Sequence, residues 1–322
     1  MSTANLSSDE DAPLVHQQMF EVEMNEGPLS KLVVAILMAL LFMYINSIMF
    51  HTLLSKPVFR ELPRYILFAH MLCNDTVLLL MVSLLYLLSL YLQKVPKAVC
   101  ALIILIAATT VRISALNLGF MSLERYVAIC FPLRHSEMAS KKMTGVLIVI
   151  MWILGVLSPV IDILSPLIRN PESFGKPMFC THQGFFIAKW QVVVYEGIHG
   201  FYFVAVTFMI IFTYVSVMVA ARSASADKDS ARKAQRTVLL HFGQLVLCLN
   251  SLLYVTIERA MAMASSSHLF MDLRYMNYLF ILLLPRCLSP LVYGLRDNAV
   301  RPLFLYYVSC GYRKVKPTVA TH

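Results

Sequence analysis

Met121-Ser122-Leu123-Glu124-Arg125-Tyr126-Val127-Ala128-Ile129-Cys130 closes a long apolar segment. Glu124, Arg125 and Tyr126 stand side by side at its margin. An arginine at the edge of a hydrophobic helix is costly unless it is paired or reaches water. The acid directly before it supplies a pair. The stretch reads as the polar end of a membrane-crossing helix.

The rest of the chain agrees. Of 322 residues, 59% are hydrophobic and only 14% charged, with a mean hydropathy of +0.71. A soluble domain carries about 25% charged residues. So much apolar surface cannot be hidden in one water-soluble core. A helical span takes about 20 residues, and seven segments suffice: Leu29–Leu54, Arg64–Leu92, Ala98–Ile129, Met143–Leu167, Val192–Ala221, Lys233–Ala264 and Leu273–Leu295. The bilayer offers no water to backbone groups, so each is predicted to be a helix. The expected fold is an all-α membrane protein, a seven-transmembrane helix bundle over 29–295. Residues 301–307 mix apolar and basic side chains at helical spacing, which predicts a short amphipathic eighth helix on the membrane surface.

Seven spans put the termini on opposite sides. With the N-terminus outside, the inner segments hold roughly twice as many Lys and Arg as the outer ones, the bias expected of cytoplasmic loops. Residues 1–28 then form an extracellular tail and 296–322 a cytoplasmic helix and tail. The net charge of +9 is explained by this topology and membrane lipid, and no nucleic acid partner is expected. The tail is polar and acidic, with neither a basic nor an apolar signal region, so the first span is expected to act as its own targeting signal. Asn5-Leu6-Ser7 is a glycosylation sequon on that tail. Asn74-Asp75-Thr76 matches too, but lies inside an apolar helix. Cys100, at the outer end of the third span, and Cys180, in the second outer loop, both face an oxidising compartment, and a disulfide between them is expected to pin the loop over the bundle mouth. Cys73, Cys130, Cys248, Cys287 and Cys310 fall in spans or on the inner side; Cys310 is either a palmitoylation site or a plain thiol. No metal-type cluster and no cofactor motif is visible.

The Glu124-Arg125-Tyr126 run resembles the end of the third helix of rhodopsin-like (class A) G protein-coupled receptors, where Asp-Arg-Tyr stands. The wider run is similar to the Met-Ala-Tyr-Asp-Arg-Tyr-Val-Ala-Ile-Cys of odorant receptors, with Ser122, Leu123 and Glu124 departing. Pro132-Leu133-Arg134-His135 continues in that style. Lys233-Ala234, Thr237 and His241 match four positions of the family's Lys-Ala-x-x-Thr-Cys-x-x-His-Leu, and Thr213-Tyr214 resembles its Ser-Tyr. Asn46, Asp75, Trp152 and Ser289-Pro290-Leu291-Val292-Tyr293 fall at the class A signature positions, with Ser289 in place of an Asn. The departures resemble a fish-type odorant receptor.

The resemblance implies a receptor for a small-molecule odorant that activates a heterotrimeric G protein and raises cAMP, at the plasma membrane of olfactory cilia. Arg125 would pair with Glu124 at rest and be released on activation. Tyr214 and Tyr293 would then swing toward it, while His241 is either a latch or a plain interhelical hydrogen bond. Asp75 and Ser114 match a sodium site of many class A receptors, but Arg286 is expected to occupy the carboxylate instead. The loop bearing Cys180 lacks the further cysteines of many odorant receptors and is expected to be less constrained.

The expected pocket lies among the third, fifth and sixth helices. Arg112 and His199 hold an anionic or strongly polar ligand, or Arg112 pairs with Glu196 instead. Ile104, Ala108, Val111, Leu249, Leu253 and Tyr254 form the apolar wall. Two other classes compete. A class A receptor for a different small ligand shares the fold. A small-solute transporter would usually show internal repeats and Gly- or Pro-interrupted spans near the midplane; no repeat is visible and only 11 of the 322 residues are Gly. An intramembrane enzyme would need paired groups at depth, whereas Asp75 reads as alone there.

Overall fold

The computed structural model describes residues 26–91, 94–224 and 267–309, with isolated positions between 243 and 261. Five long helices come first: α1 (Glu26–Leu54), α2 (Pro63–Tyr91), α3 (Lys97–Cys130), α4 (Lys141–Arg169) and α5 (Lys189–Ala224). A last span is built from α6 (Ser267–Asn277), a π-helical stretch (Tyr278–Leu283) and α7 (Leu284–Arg296), followed by the short α8 (Arg301–Val308). Six helices among the described residues are long and apolar enough to cross a membrane. The sixth predicted segment, Lys233–Ala264, falls mostly outside the described residues. Leu249, Asn250, Tyr254 and Ile257, which are described, are helical.

The helices start where backbone chemistry allows. Pro63 opens α2 at a position whose N–H has no helical partner. Ser140 caps α4, its side chain accepting from the Met143 N–H at 3.3 Å. Asp297 Oδ1 accepts from the N–H groups of Ala299 and Val300, at 2.9 and 3.2 Å, which turns the chain into α8. Phe304 of α8 is buried, while Arg301, Tyr306 and Val308 are exposed.

Burial identifies the axis of the bundle. In α3, 61% of the most apolar window is buried, against 28% in α4 and α5. The exposed side of α4 carries Val146, Val149, Ile153, Leu157 and Ile161 at three- and four-residue spacing. In water such a stripe would mark a binding surface; in a bilayer it faces lipid tails. Close approach of α3 to α4 depends on Gly155, where a Cβ would lie 2.9 Å from Ile113 Cγ1. The main core joins Met49, Phe68, Met71, Leu118, Val206 and Tyr293 from five helices.

Cys100 and Cys180 form a disulfide. It ties the 170–188 connection to the end of α3, where β1 (Val95–Pro96) pairs antiparallel with β2 (Pro177–Met178). Phe185 from that connection is fully buried beside Cys100 and Ile104. Lys97 sits over the rings of Phe174 and Phe185, at 5.3 and 5.4 Å. Aromatic packing and a strand pair thus hold this loop alongside its one disulfide.

Candidate functional site

Two polar clusters lie at opposite ends of the bundle, with a third between them. At the disulfide end is a cavity of about 130 Å³. Ile104, Ala107, Ala108, Val111 and Arg112 of α3 line it, with Tyr195 and His199 of α5, His182 of the disulfide-bonded loop, Val82, Tyr254 and Leu282. Of the expected pocket residues, Ile104, Ala108, Val111, Arg112, His199 and Tyr254 are in the lining. Leu253 is half-buried outside it, Leu249 belongs to the main core, and Glu196 is exposed.

Arg112 is fully buried. Its Nη1 donates to the Ala108 carbonyl at 3.0 Å, and its Nη2 lies 3.2 Å from His199 Nε2 and 3.4 Å from Ser158 Oγ. A guanidinium has only donors, so His199 Nε2 is the acceptor and the ring proton is on Nδ1. The Tyr195 ring lies 5.7 Å from the guanidinium carbon, a cation–π distance. The Arg112–Glu196 pair is not formed. Tyr195 and His199, four residues apart, share one face of α5 and point inward. Glu196 is rotated about 100° from Tyr195, so it leaves that face.

His182 and Asp162 were not anticipated. Asp162 is buried in α4, which corrects the reading of Asp75 as alone at depth. Its Oδ2 lies 3.4 Å from His182 Nε2. His182 also packs against the rings of Tyr195 and Phe186, with centroids at 4.7 and 5.0 Å. A signal existed for His182, since it follows Cys180 by two residues and the disulfide must carry it to the mouth of the bundle. Nothing near Asp162 in sequence announces a partner.

The middle cluster surrounds Asp75. Ser114 Oγ donates to Asp75 Oδ1 at 2.8 Å, and Arg286 Nε lies 3.4 Å from the same oxygen. Asn74 donates to Ser114 Oγ at 2.8 Å and to the Thr110 carbonyl at 2.9 Å, joining α2 to α3. Arg286 Nη1 also donates to the Leu282 carbonyl at 2.9 Å. Arg286 thus occupies the carboxylate, as expected. Pro285 and Pro290 each remove a backbone donor from this span, and Leu282, within the π-helical stretch, lines the cavity. Asn46 Nδ2 lies 3.4 Å from Thr76 Oγ1, and Trp152 Nε1 donates to His70 Nε2 at 3.1 Å.

At the far end, Glu124 is buried and meets two basic groups. Arg125 Nε lies 3.8 Å from its Oε2, and His135 Nε2 lies 3.3 Å from its Oε1. In sequence, His135 stands out only as the end of the Pro132-Leu133-Arg134-His135 run. Tyr126 packs on Phe131 and Phe212, each at 5.6 Å, linking α3 to α5. Tyr293 is buried and stacked on Phe68 at 3.8 Å, with Tyr65 edge-on at 6.3 Å. Tyr214 is half-buried. His241, Asn5 and Cys310 lie outside the described residues.

Comparison with known proteins places this geometry. Residues 32–293 match the family model of the 7 transmembrane receptor (rhodopsin family). The chain is 36% identical to Odorant receptor 131-2 of Danio rerio over 87% of its own length and 86% of that protein. It is 25% identical to Olfactory receptor 4B13 of Mus musculus over 59% of the chain and 62% of that protein. It is 24% identical to Violet-sensitive opsin of Xenopus laevis, over 67% and 62%. That family fits a seven-helix bundle closed by a short C-terminal helix. With the Glu124-Arg125-Tyr126 run, the disulfide and the match across its length all agreeing, the chain belongs to the rhodopsin family of seven-transmembrane receptors, on its odorant-receptor branch.

Proposed function

We propose that this protein is an odorant receptor of the plasma membrane of olfactory sensory cilia. It binds a small molecule in the cavity at the disulfide end and activates a heterotrimeric G protein, raising cAMP. The observation that carries the reading is the cavity itself: lined by α3, α5, the disulfide-bonded loop and the last span, and apolar apart from a few converging polar groups. That is the usual make-up of a small-molecule site. Its volume suits a small guest, since a cavity of about 150 Å³ accepts benzene.

The excess of basic residues on the Glu124–Arg125 side supports an extracellular N-terminus. Residues 1–28 are then an extracellular tail with Asn5 open to glycosylation, 29–295 the bundle, and 296–322 a cytoplasmic helix and tail. A ligand shifts the bundle only if it binds the active form more tightly. In the resting form Glu124 holds Arg125 while Tyr126 braces α3 on α5. On activation the sixth helix moves outward, Arg125 is freed, Tyr214 and Tyr293 turn toward it, and Pro290 supplies the flexible point in α7. His241 latches the sixth helix at rest.

The test is expression with an olfactory-type stimulatory G protein and a cAMP reporter against an odorant panel. A response is expected that Arg125→Ala abolishes. Solute flux without G protein activation, or a residue-1 tag reached only after permeabilisation, would overturn the reading.

A further inference from the structure

We infer that the cavity selects a small organic monoanion, a carboxylate carried on a short chain or a single ring. The inference rests on the cavity's being the ligand site proposed above and names the chemistry that it takes.

Arg112 has no exposure, yet its hydrogen-bond partners are all neutral: a carbonyl, a serine hydroxyl and an imidazole nitrogen acting as acceptor. Its Nε has no partner among the described residues. No carboxylate among them comes within ion-pair distance. Asp162 lies within electrostatic reach, but its Oδ2 is set against His182 at 3.4 Å. A buried cation without an anion in contact is one of the most expensive arrangements in a protein. It is tolerable where an anion arrives from outside.

The walls set the rest of the molecule. Ile104, Ala107, Ala108, Val111 and Leu282 offer no hydrogen-bonding side chains, so the body of the guest is apolar. Arg112 is the one lining side chain, among those described, with a permanent charge. A monoanion pairs with that single guanidinium, whereas a dianion such as a phosphate monoester would add a second negative charge near the buried Asp162. The planar fork of a guanidinium suits a carboxylate, which would take over the donors now satisfied by His199 and Ser158.

The test uses the full chain purified into lipid nanodiscs, with binding read directly by displacement or thermal shift. Benzoate is compared with benzamide, and butanoate with butanamide, which match in shape but lack the charge. Each carboxylate is expected to bind roughly tenfold or more tightly than its amide, the difference between a charged and a neutral hydrogen-bond partner. Arg112→Gln is expected to erase the preference and Arg112→Lys to keep part of it. The matched pairs on the unaltered chain decide the matter even if the variants fail to fold. Equal affinity within each pair, or saturable binding by neither carboxylate, overturns the inference. Cyclic AMP responses to neutral molecules alone would overturn it while leaving the odorant-receptor reading intact. Carboxylate binding without any G protein response would sustain it and sink that reading instead.

Discussion

Arg286 of α7 places its Nε 3.4 Å from Asp75 Oδ1 of α2, both side chains almost wholly buried. A guanidinium thus occupies the carboxylate that the resemblance to class A receptors would assign to a sodium site. The receptor is therefore expected to melt at the same temperature in sodium chloride and choline chloride. Arg286→Met frees the carboxylate and should introduce a sodium-dependent rise. A sodium-dependent melting temperature in the unaltered chain would refute the substitution of one cation for the other.

The same pair governs stability. Removing one partner of a buried ion pair strands the other and costs about 3–5 kcal/mol. Asp75→Asn should therefore reduce surface expression sharply. The exchange Asp75→Arg with Arg286→Asp should recover part of the loss, measured by surface immunostaining. Equal expression of Asp75→Asn and the unaltered chain would show that the pair contributes little.

At the other end, Glu124 lies within ion-pair distance of both Arg125 and His135. The Arg125 side chain is about one-third exposed, so solvent screens its share, and about 1 kcal/mol is the expected scale. Glu124→Gln should raise ligand-independent cAMP several-fold, and His135→Ala should raise it less. Unchanged basal cAMP in both would remove Glu124 from the resting restraint.

Gly155 gives a packing test independent of signalling. Gly155→Val drives a side chain into Ile113 and should destabilise the bundle by about 1–3 kcal/mol, the usual cost of overpacking. Gly145→Ala on the same helix meets nothing within 4 Å and should be neutral. Thermal unfolding in detergent separates the two.

The Cys100–Cys180 bridge spans 80 residues, and closing so long a loop contributes up to about 4 kcal/mol on the chain-entropy account. The double variant Cys100→Ser, Cys180→Ser should melt at lower temperature. It should also lose ligand affinity, because His182 is then no longer held on the cavity. Affinity that survives both the double variant and reduction would exclude the loop from the site.

The membrane spans, the disulfide partners and the Glu124–Arg125 pairing were legible from residue order. Hydropathy over a window states that a helix crosses, and neighbouring charges state where it ends. Spans and neighbouring charges are local, so no third dimension is needed to read them, and the distant disulfide partners follow from the side of the membrane to which each cysteine is assigned. The pairings of Asp75 with Arg286 and of Asp162 with His182 join different elements of the fold. The former could be anticipated because both residues fall at recognisable family positions; the latter had no such marker. The choice of His199 over Glu196 as the neighbour of Arg112 turned on the rotation of α5 about its own axis. Helices that are apolar nearly all round leave that rotation undetermined in sequence. Packing settles it, by Tyr195 filling the bundle beside Arg112 and taking His199 with it one turn on.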